Sequence, residues 1–221
     1  MTSSETRFID GPDWRYRLLR PICQLVVFLL TRLQIRGAEH FPMTGPVIIV
    51  ANHLHWLDPV IAMVVTPRPG YLFVAEKWAE RPVVSHILRA SGRAIFIVRG
   101  EADRQAIRQG LEALKAGAVL GVAPEGTRSK TGALQEGHAG AAFLASRTGA
   151  VIQPMVITGQ EKSMAAWKRL RRPLVICQIG EPFTLPGSPN RAKGEQLEAY
   201  TADIMHRVAE LLPPEYRGIY S

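Results

Sequence analysis

The chain has 221 residues, of which 47% are hydrophobic and 21% charged; this balance suits one folded domain with a sizeable core and excludes a disordered chain. Lys and Arg number 27 against 19 Asp and Glu, and the net charge of +8 favours a polyanionic partner, either nucleic acid or an anionic membrane surface. The two cysteines, Cys23 and Cys177, are too few for a disulfide framework and indicate free thiols in a reducing compartment.

The first predicted element is an N-terminal helical segment, residues 1–36, that lies in a membrane surface. Its first residues are polar and include three carboxylates, which argues against a secretory signal peptide. The apolar stretch at 18–33 is interrupted by Arg20 and Pro21, and its apolar centre is shorter than the ~20 residues that a membrane span needs. Aromatic and arginine residues at its edges, Trp14 among them, are typical of an interfacial anchor. The alternative is an ordinary helix packed on the core.

Residues 37–221 form the second predicted unit, a single α/β domain. Apolar runs predict strands at residues 46–51, 71–75, 94–98, 119–123, 151–157 and 174–179. Helical spacing predicts helices at residues 60–65, 101–116, 137–147 and 196–212. Because strands alternate with helices, we expect a largely parallel or mixed central sheet flanked by helices. Pro154 predicts that its strand bends or lies near a sheet edge.

A polar stretch, NHLHWLDP at residues 52–59, follows the first of these strands. Pro59 suits the first turn of a helix, so Asp58 is predicted to be the N-cap of that helix. Folds of this class keep their ligands at the carboxyl ends of strands, where His53 and Asp58 would both lie. A turn can bring these two residues into contact. A histidine with one nitrogen on a carboxylate and the other facing a cleft suits a general base.

Two further strand ends carry polar residues. Arg99 follows the strand at 94–98, and the sequence PEGTRS occupies residues 124–129. If the strands run parallel, these residues meet His53 at one edge of the sheet. Arg128, the turn amides and the nearby hydroxyls suit a phosphate, and Arg99 would add a second cation. A base beside two arginines predicts a phosphorylated alcohol as substrate.

The pattern leaves other interpretations open. The spacing of His53, His55 and Asp58 is similar to the start of a binuclear metallohydrolase motif, but Asp58 comes one place late and the other histidines stand alone, so no metal is expected. We interpret His55 as structural. Arg99 and Arg128 would each suit a surface ion pair. A non-catalytic basic module that binds anionic lipid or nucleic acid would explain the charge, but not the pairing of His53 with Asp58.

Four motifs in order resemble those of the glycerolipid acyltransferases, typified by 1-acyl-sn-glycerol-3-phosphate (lysophosphatidate) acyltransferase. They are NHxxxxD at residues 52–58, GRAIFIVR at 92–99, PEGTRS at 124–129 and the apolar VIQPMV at 151–156. The resemblance covers roughly residues 40 to 180. Any one motif is a weak signal, whereas four in this order are a strong one.

The resemblance implies transfer of a fatty acyl group from acyl-CoA or acyl carrier protein to a lysophospholipid hydroxyl. The first candidate acceptor is 1-acyl-sn-glycerol-3-phosphate, and the alternative is glycerol-3-phosphate or another lipid. The resemblance also implies that His53 is the base, that Asp58 orients it, and that no cofactor or metal takes part. The residues that would bind the acceptor are Asn52, Arg99, Glu125, Gly126, Thr127 and Arg128.

The expected partners are the acyl thioester donor, the lysophospholipid acceptor and an anionic membrane surface, and nucleic acid is not expected. The protein would be peripheral or monotopic on the cytoplasmic face of the membrane. A basic segment with interspersed apolar residues at 162–172 would meet anionic lipid or form a solvated loop. The sequence leaves the oligomeric state open.

Overall fold

The structure, a computed structural model, describes residues 13–78, 80, 93–97 and 103–221. In this part of the chain seven strands form one sheet: β1 Arg32–Arg36, β2 Val47–Ala51, β3 Gly70–Ala75, β4 Ala94–Ile97, β5 Val119–Val122, β6 Val151–Thr158 and β7 Leu174–Ile179. The same residues form six α-helices: α1 Asp13–Leu30, α2 Asp58–Val65, α3 Arg104–Lys115, α4 Gly140–Thr148, α5 Ser163–Trp167 and α6 Gly194–Glu210. Strands alternate with helices, and the α/β class is confirmed.

The sheet is mixed, and its strand order is β1-β7-β6-β2-β5-β3-β4. The five strands from β6 to β4 run parallel, β7 runs antiparallel to β6, and β1 runs parallel to β7. The carboxyl ends of β6, β2 and β5 are therefore neighbours at one edge of the sheet. Ligands of α/β folds bind at this edge.

The central strand β2 builds the core on both faces of the sheet. Ile48 and Val50 are fully buried in the apolar cluster that includes side chains of α3, α4 and α6. Val47 and Ile49 belong to the cluster on the opposite face, with α1 and α2. Burial of each such side chain stabilises the fold by about 1.5–3 kcal/mol. A strand held on both faces gives the loop that follows it a rigid base.

The predicted boundary at residue 36 is wrong, because residues 32–36 belong to the sheet. β1 pairs with β7 as the edge strand, with Arg32 opposite Leu174 and Arg36 opposite Gln178. Its sequence, RLQIR, alternates polar and apolar residues with a period of two, as a half-covered strand does. The helical segment therefore ends at Leu30. Residues 1–12 of the predicted segment lie outside the described part of the chain.

The helix α1 packs against α2 along one side. Tyr16 donates its hydroxyl to Met63 O at 3.2 Å, and the guanidinium of Arg20 donates to Val64 O at 3.3 Å. The opposite side leaves large apolar side chains in solvent: Trp14, Leu18, Ile22, Leu25, Phe28 and Leu29, called here the exposed face of α1. Within the described residues, no helix is both long enough and apolar enough to cross a bilayer.

Pro154 lies in a central strand rather than near an edge, contrary to the edge prediction, since β6 is flanked by β2 and β7. Proline has no backbone donor for a neighbouring strand. Its carbonyl accepts from Gly180 N at 2.9 Å, and the side-chain amide of Gln153 donates to Gly180 O at 2.6 Å. The buried Gln153 side chain thus supplies the donor that Pro154 lacks.

Candidate active site

A histidine and a carboxylate meet in the loop that joins β2 to α2. His53 Nδ1 donates to Asp58 Oδ2 at 2.8 Å, so the predicted contact is confirmed. The Asp58 side chain is buried, whereas the His53 side chain keeps 21% of its surface exposed. A carboxylate only accepts, so Nδ1 carries a proton, and in this tautomer of the neutral imidazole Nε2 is the acceptor. The pair is arranged as a base and its orienting group.

The same carboxylate oxygen shapes the loop. Asp58 Oδ2 also accepts from Leu54 N at 2.7 Å and from His55 N at 2.8 Å. The predicted N-cap role of Asp58 is wrong, because α2 begins at Asp58 itself and the N-cap residue is Leu57, which makes no side-chain cap. Since several donors converge on Oδ2 from the preceding loop, the carboxylate turns back toward that loop instead of capping the helix.

The other oxygen of Asp58 is held by a residue that no sequence motif indicated. Gln160 is fully buried, and its Nε2 donates to Asp58 Oδ1 and to Ile157 O, both at 3.0 Å. It lies there because β6 and β2 are neighbours that end at the same edge. The only feature of the sequence that could have indicated Gln160 is that it is a polar residue just past a predicted strand. That signal is too common to single out Gln160.

Asn52 connects the ends of β2 and β6. Its Nδ2 donates to Ile157 O and its Oδ1 accepts from Ile157 N, each at 2.8 Å, and the residue is buried. The prediction that Asn52 binds the acceptor finds no support in this geometry, because both polar atoms are occupied. The side chain instead extends the pairing of β2 with β6 to the start of the His53 loop.

The turn that follows β5 holds the peptide backbone of His53 on both sides. Glu125 Oε1 accepts from His53 N at 3.0 Å, and Ser129 N donates to His53 O at 2.8 Å. The other oxygen of Glu125 accepts from the backbone and side-chain amides of Gln135, at 3.1 and 3.4 Å. The PEGTRS turn therefore fixes the position of the His53 backbone relative to the sheet.

This geometry changes the role predicted for Glu125. Its side chain is buried and already accepts several hydrogen bonds, so it is not placed to bind the acceptor. Burial raises the pKa of the Glu125 carboxyl above its ordinary value, and the bonds from His53 N and Gln135 oppose that rise. Gln135 could not be recognised as a partner from the sequence, because it lies in an irregular stretch with no periodic spacing.

Three residues of the turn face solvent beside the histidine loop: Gly126, Thr127 and Arg128. Gly126 takes a positive φ of 64°, and a Cβ there would lie 3.1 Å from the ring of His138, so glycine suits this position. Within the described part of the chain, no hydrogen bond or ion pair occupies the Arg128 guanidinium. The exposure of these three residues leaves them accessible to a ligand, and the predicted binding of an anion stays a prediction.

Arg99 lies outside the described residues, so its predicted role stays a prediction. The strand before it, β4, ends at Ile97 and forms the sheet edge beyond β5 and β3. The predicted meeting of three strand ends is thus seen for β2 and β5, which are adjacent. The structure adds the end of β6, through Gln160.

His55 lies in an aromatic cluster with Trp56 and Trp167. Its ring centroid lies 5.5 Å from that of Trp56 and 6.2 Å from that of Trp167, and its Nδ1 accepts from Leu57 N at 3.4 Å. Burial lowers the pKa of His55, the charge of Arg128 acts in the same direction, and the Asp58 carboxylate opposes them. Among the described residues, no group of three or more His, Cys, Asp or Glu side chains is placed to hold a metal ion.

A family model, curated protein sequences and a solved structure all indicate the same family for this chain. The family model described as Acyltransferase matches residues 32–158, from the start of β1 to the end of β6. A 1-acyl-sn-glycerol-3-phosphate acyltransferase of Borreliella burgdorferi is 27% identical over 129 residues, which cover 57% of this chain and 51% of that protein. The chain thus spans about half of that relative's length.

Two longer matches extend the likeness. A 1-acyl-sn-glycerol-3-phosphate acyltransferase of Bacillus subtilis is 20% identical over 197 residues, covering 89% of this chain and 96% of the relative. The crystal structure of the 1-acyl-sn-glycerophosphate acyltransferase PlsC from Thermotoga maritima matches this chain with a TM-score of 0.69 and 23% sequence identity. The match covers 89% of this chain and 78% of the PlsC chain, and PlsC shows the same fold. Because the family model matches more than half of the chain and includes His53, Asp58 and the PEGTRS turn, the protein belongs to the Acyltransferase family.

Proposed function

We propose that this protein transfers a fatty acyl group from an acyl thioester to the free hydroxyl of 1-acyl-sn-glycerol-3-phosphate, giving phosphatidate in phospholipid biosynthesis. The observation that carries the proposal is the 2.8 Å contact between His53 Nδ1 and Asp58 Oδ2, beside the exposed Arg128 at one sheet edge. The names of the relatives, which specify this acceptor, agree with it.

His53 acts as the general base. Its Nε2 removes the proton of the acceptor hydroxyl while that oxygen attacks the thioester carbonyl, a step that a positioned base accelerates about 10²–10⁴-fold. The tetrahedral intermediate collapses with cleavage of the carbon–sulfur bond, and the protonated imidazole returns its proton to the thiolate. Asp58 stabilises the imidazolium through Nδ1 and keeps the ring oriented. Nucleophile, base and leaving group all come from the substrates and His53, so no cofactor or metal is needed.

Arg128 and the turn around it hold the acceptor phosphate. A guanidinium binds a phosphate through two parallel hydrogen bonds, and the hydroxyl of Thr127 adds a donor. Arg99 is proposed as the second cation. The donor is acyl-CoA or an acyl carrier protein, and the proposal leaves the choice to experiment.

We further propose that the protein works on the cytoplasmic face of an anionic membrane, as a peripheral or monotopic protein. The exposed face of α1 supports this, because such a row of large apolar side chains is typical of interfacial helices. The net charge of +8 favours anionic lipid. The two cysteines, Cys23 and Cys177, are unpaired, which agrees with a reducing compartment.

The test is acyl transfer by the purified protein with labelled acyl-CoA and acyl carrier protein donors and a panel of acceptors: lysophosphatidate, glycerol-3-phosphate and other lysolipids. We expect transfer to lysophosphatidate by the wild type, and its loss in His53→Ala with folding and vesicle binding retained. Full activity of His53→Ala would contradict the assignment of the base. If neither protein transfers acyl groups but both bind anionic lipid or nucleic acid, the chain is a non-catalytic binding module.

A further inference from the structure

The segment after α5 contains a leucine that is exposed to solvent and has a backbone conformation unfavourable for leucine. Leu170 is 98% exposed and has a φ of 53°. Leu170 N donates to Trp167 O and Arg171 N donates to Ala166 O, each at 2.9 Å. These two bonds define a Schellman motif in which Leu170 holds the left-handed C′ position, which glycine usually takes. A leucine there is strained and gains nothing by burial within the chain.

From this outlier we propose that residues 162–172, called here the basic loop, form a membrane-docking element with Leu170 as the side chain that enters the bilayer. Strain at a single exposed residue indicates a function when the surrounding structure holds it in place. A leucine transferred from water into lipid recovers the free energy that its exposure costs. A glycine at this position would relieve the strain but contribute nothing to lipid binding.

The charges around Leu170 point to an anionic surface as the occupant. Three exposed cations flank it in sequence: Lys168, Arg169 and Arg171. None of the three side chains forms a hydrogen bond or ion pair within the part of the chain that the structure describes. Unpaired cations next to an exposed apolar tip meet the phosphates of a lipid headgroup layer while the tip lies deeper.

The basic loop is fixed to the C-terminal end of α1. Trp167 Nε1 donates to Leu30 O at 2.8 Å, at the C-terminus of α1. The guanidinium of Arg172 donates to Thr31 O at 2.6 and 2.9 Å and lies 4.8 Å from the ring centroid of Phe28. The loop is therefore joined to the end of α1 and lies against Phe28 of its exposed face. This contact with the exposed face favours a lipid surface over an acidic carrier protein, which would be recognised mainly by charge.

The basic loop also adjoins the catalytic loop. The ring centroid of Trp167 lies 6.2 Å from that of Trp56 and 6.2 Å from that of His55. Trp56 is 42% exposed, and the backbone of His55 is bonded to the same Asp58 oxygen that orients His53. Docking through Leu170 would thus bring the headgroup layer to the mouth of the active site. A lysolipid could then reach His53 from the bilayer without crossing bulk water.

The docking is tested on the full chain without any assay of acyl transfer. Leu170→Asn removes the apolar side chain and keeps a residue that tolerates the left-handed conformation. Ile219→Asn is the matched control, because Ile219 is a 69% exposed apolar residue in the C-terminal 3-10 turn. We expect Leu170→Asn to weaken binding to vesicles of phosphatidylglycerol and phosphatidylcholine about tenfold. The control should bind as the wild type does.

A second variant tests the charges. Lys168→Gln with Arg171→Gln should weaken binding to the anionic vesicles about fivefold per cation and leave binding to pure phosphatidylcholine vesicles unchanged. Wild-type vesicle binding by Leu170→Asn, or an equal loss in Ile219→Asn, would overturn the proposal. If Leu170→Asn loses affinity for an acyl carrier protein but not for vesicles, the occupant is the donor and the membrane assignment is wrong.

The link to catalysis rests on the proposed function and is measured separately. Leu170→Asn should slow transfer to lysophosphatidate presented in vesicles and leave transfer to a short-chain, water-soluble acceptor unchanged. Equal loss on both acceptors would contradict delivery from the bilayer. If the wild type transfers nothing to either acceptor, the proposed function fails while the vesicle-binding result stands on its own.

Discussion

Glu125 accepts a hydrogen bond from the backbone nitrogen of His53 at 3.0 Å, so the turn after β5 positions the base of the loop after β2. We expect Glu125→Gln to lower kcat by about 10²-fold. A glutamine would place its NH2 group against one of the N–H donors that now bond to the carboxylate, and this would displace His53. Small displacements of a catalytic group have effects of this size. The KM for the acceptor should change little. Steady-state kinetics with both substrates varied measure the two effects.

Glu136→Gln is the matched control for this prediction, since Glu136 is exposed and lies next to Gln135 in the same stretch. It should keep the wild-type kcat. A rise in acceptor KM at unchanged kcat in Glu125→Gln would instead make Glu125 an acceptor ligand, as the sequence first suggested.

Asp58 and His53 should behave as one unit. Asp58→Asn replaces an acceptor of several hydrogen bonds by a group that is half donor, so both the loop and the imidazole lose their orientation. We expect a fall in kcat of about 10²–10⁴-fold. The double variant His53→Ala with Asp58→Asn should be no slower than His53→Ala alone, because the carboxylate acts through the base. Additive losses would show that Asp58 has a separate role.

The His53–Asp58 contact could be predicted from the sequence because both residues lie in one short loop between a strand and a helix. The role of Gln160 could not, because it depends on β6 pairing with β2, two strands that are about 100 residues apart in the chain. β1 was missed for the same reason, since its partner β7 lies far along the chain and only Leu33 and Ile35 give the strand its apolar side.

The burial of Asn52 and Glu125 is a second feature that could not be predicted from the sequence. A motif gives the chemical type of a residue but not its burial, and buried polar groups are bonded within the protein. Both side chains are buried with their polar atoms occupied. The exposed Arg128 and Thr127 of the same motifs remain available for a ligand, so burial separates the supporting residues from the proposed binding residues.

Acidification should destabilise the protein through His55. Burial lowers the pKa of His55 below the ordinary histidine value of 6.5. The unfolded chain therefore takes up a proton near pH 6.5 while the folded chain resists it, so this contribution to stability is complete above about pH 6.5 and is lost as the pH falls toward the lowered pKa of the folded state. Protonation would also remove the acceptor that Nδ1 offers to Leu57 N.

The measurement for His55 is urea unfolding of the wild type and of His55→Gln across this pH range. The difference in unfolding free energy between the two should shrink as the pH falls, because glutamine does not titrate. A constant difference at every pH would show that His55 has the same pKa in both states.

Arg128→Ala should separate acceptor binding from donor binding. Loss of the guanidinium removes a charge-assisted contact worth about 1.5–3 kcal/mol, so we expect the KM for lysophosphatidate to rise at least tenfold. The KM for the acyl donor should stay near its wild-type value. Lys130→Ala, at an exposed position in the same turn region, is the control and should leave both values unchanged. An equal rise for donor and acceptor in Arg128→Ala would refute the phosphate assignment.

Gln160 should act on catalysis through Asp58. Gln160→Met keeps the size of the side chain but removes the donor that holds Asp58 Oδ1 at 3.0 Å. The carboxylate can then rotate, and His53 loses part of its alignment. We expect kcat to fall about tenfold at unchanged KM for both substrates.

Gln153→Met gives the comparison that distinguishes positioning from simple stability. Gln153 is also fully buried in β6, and its amide donates to Gly180 O, away from the catalytic loop. Each substitution takes a donor from two acceptors, Asp58 Oδ1 and Ile157 O for Gln160, and Gly180 O and Pro154 O for Gln153, so each should lower the free energy of unfolding by about 1–3 kcal/mol. Because Asp58 is bonded to Gln160 and not to Gln153, kcat should fall in Gln160→Met alone. Equal losses of activity and stability in the two variants would make Gln160 a structural residue with no separate part in catalysis.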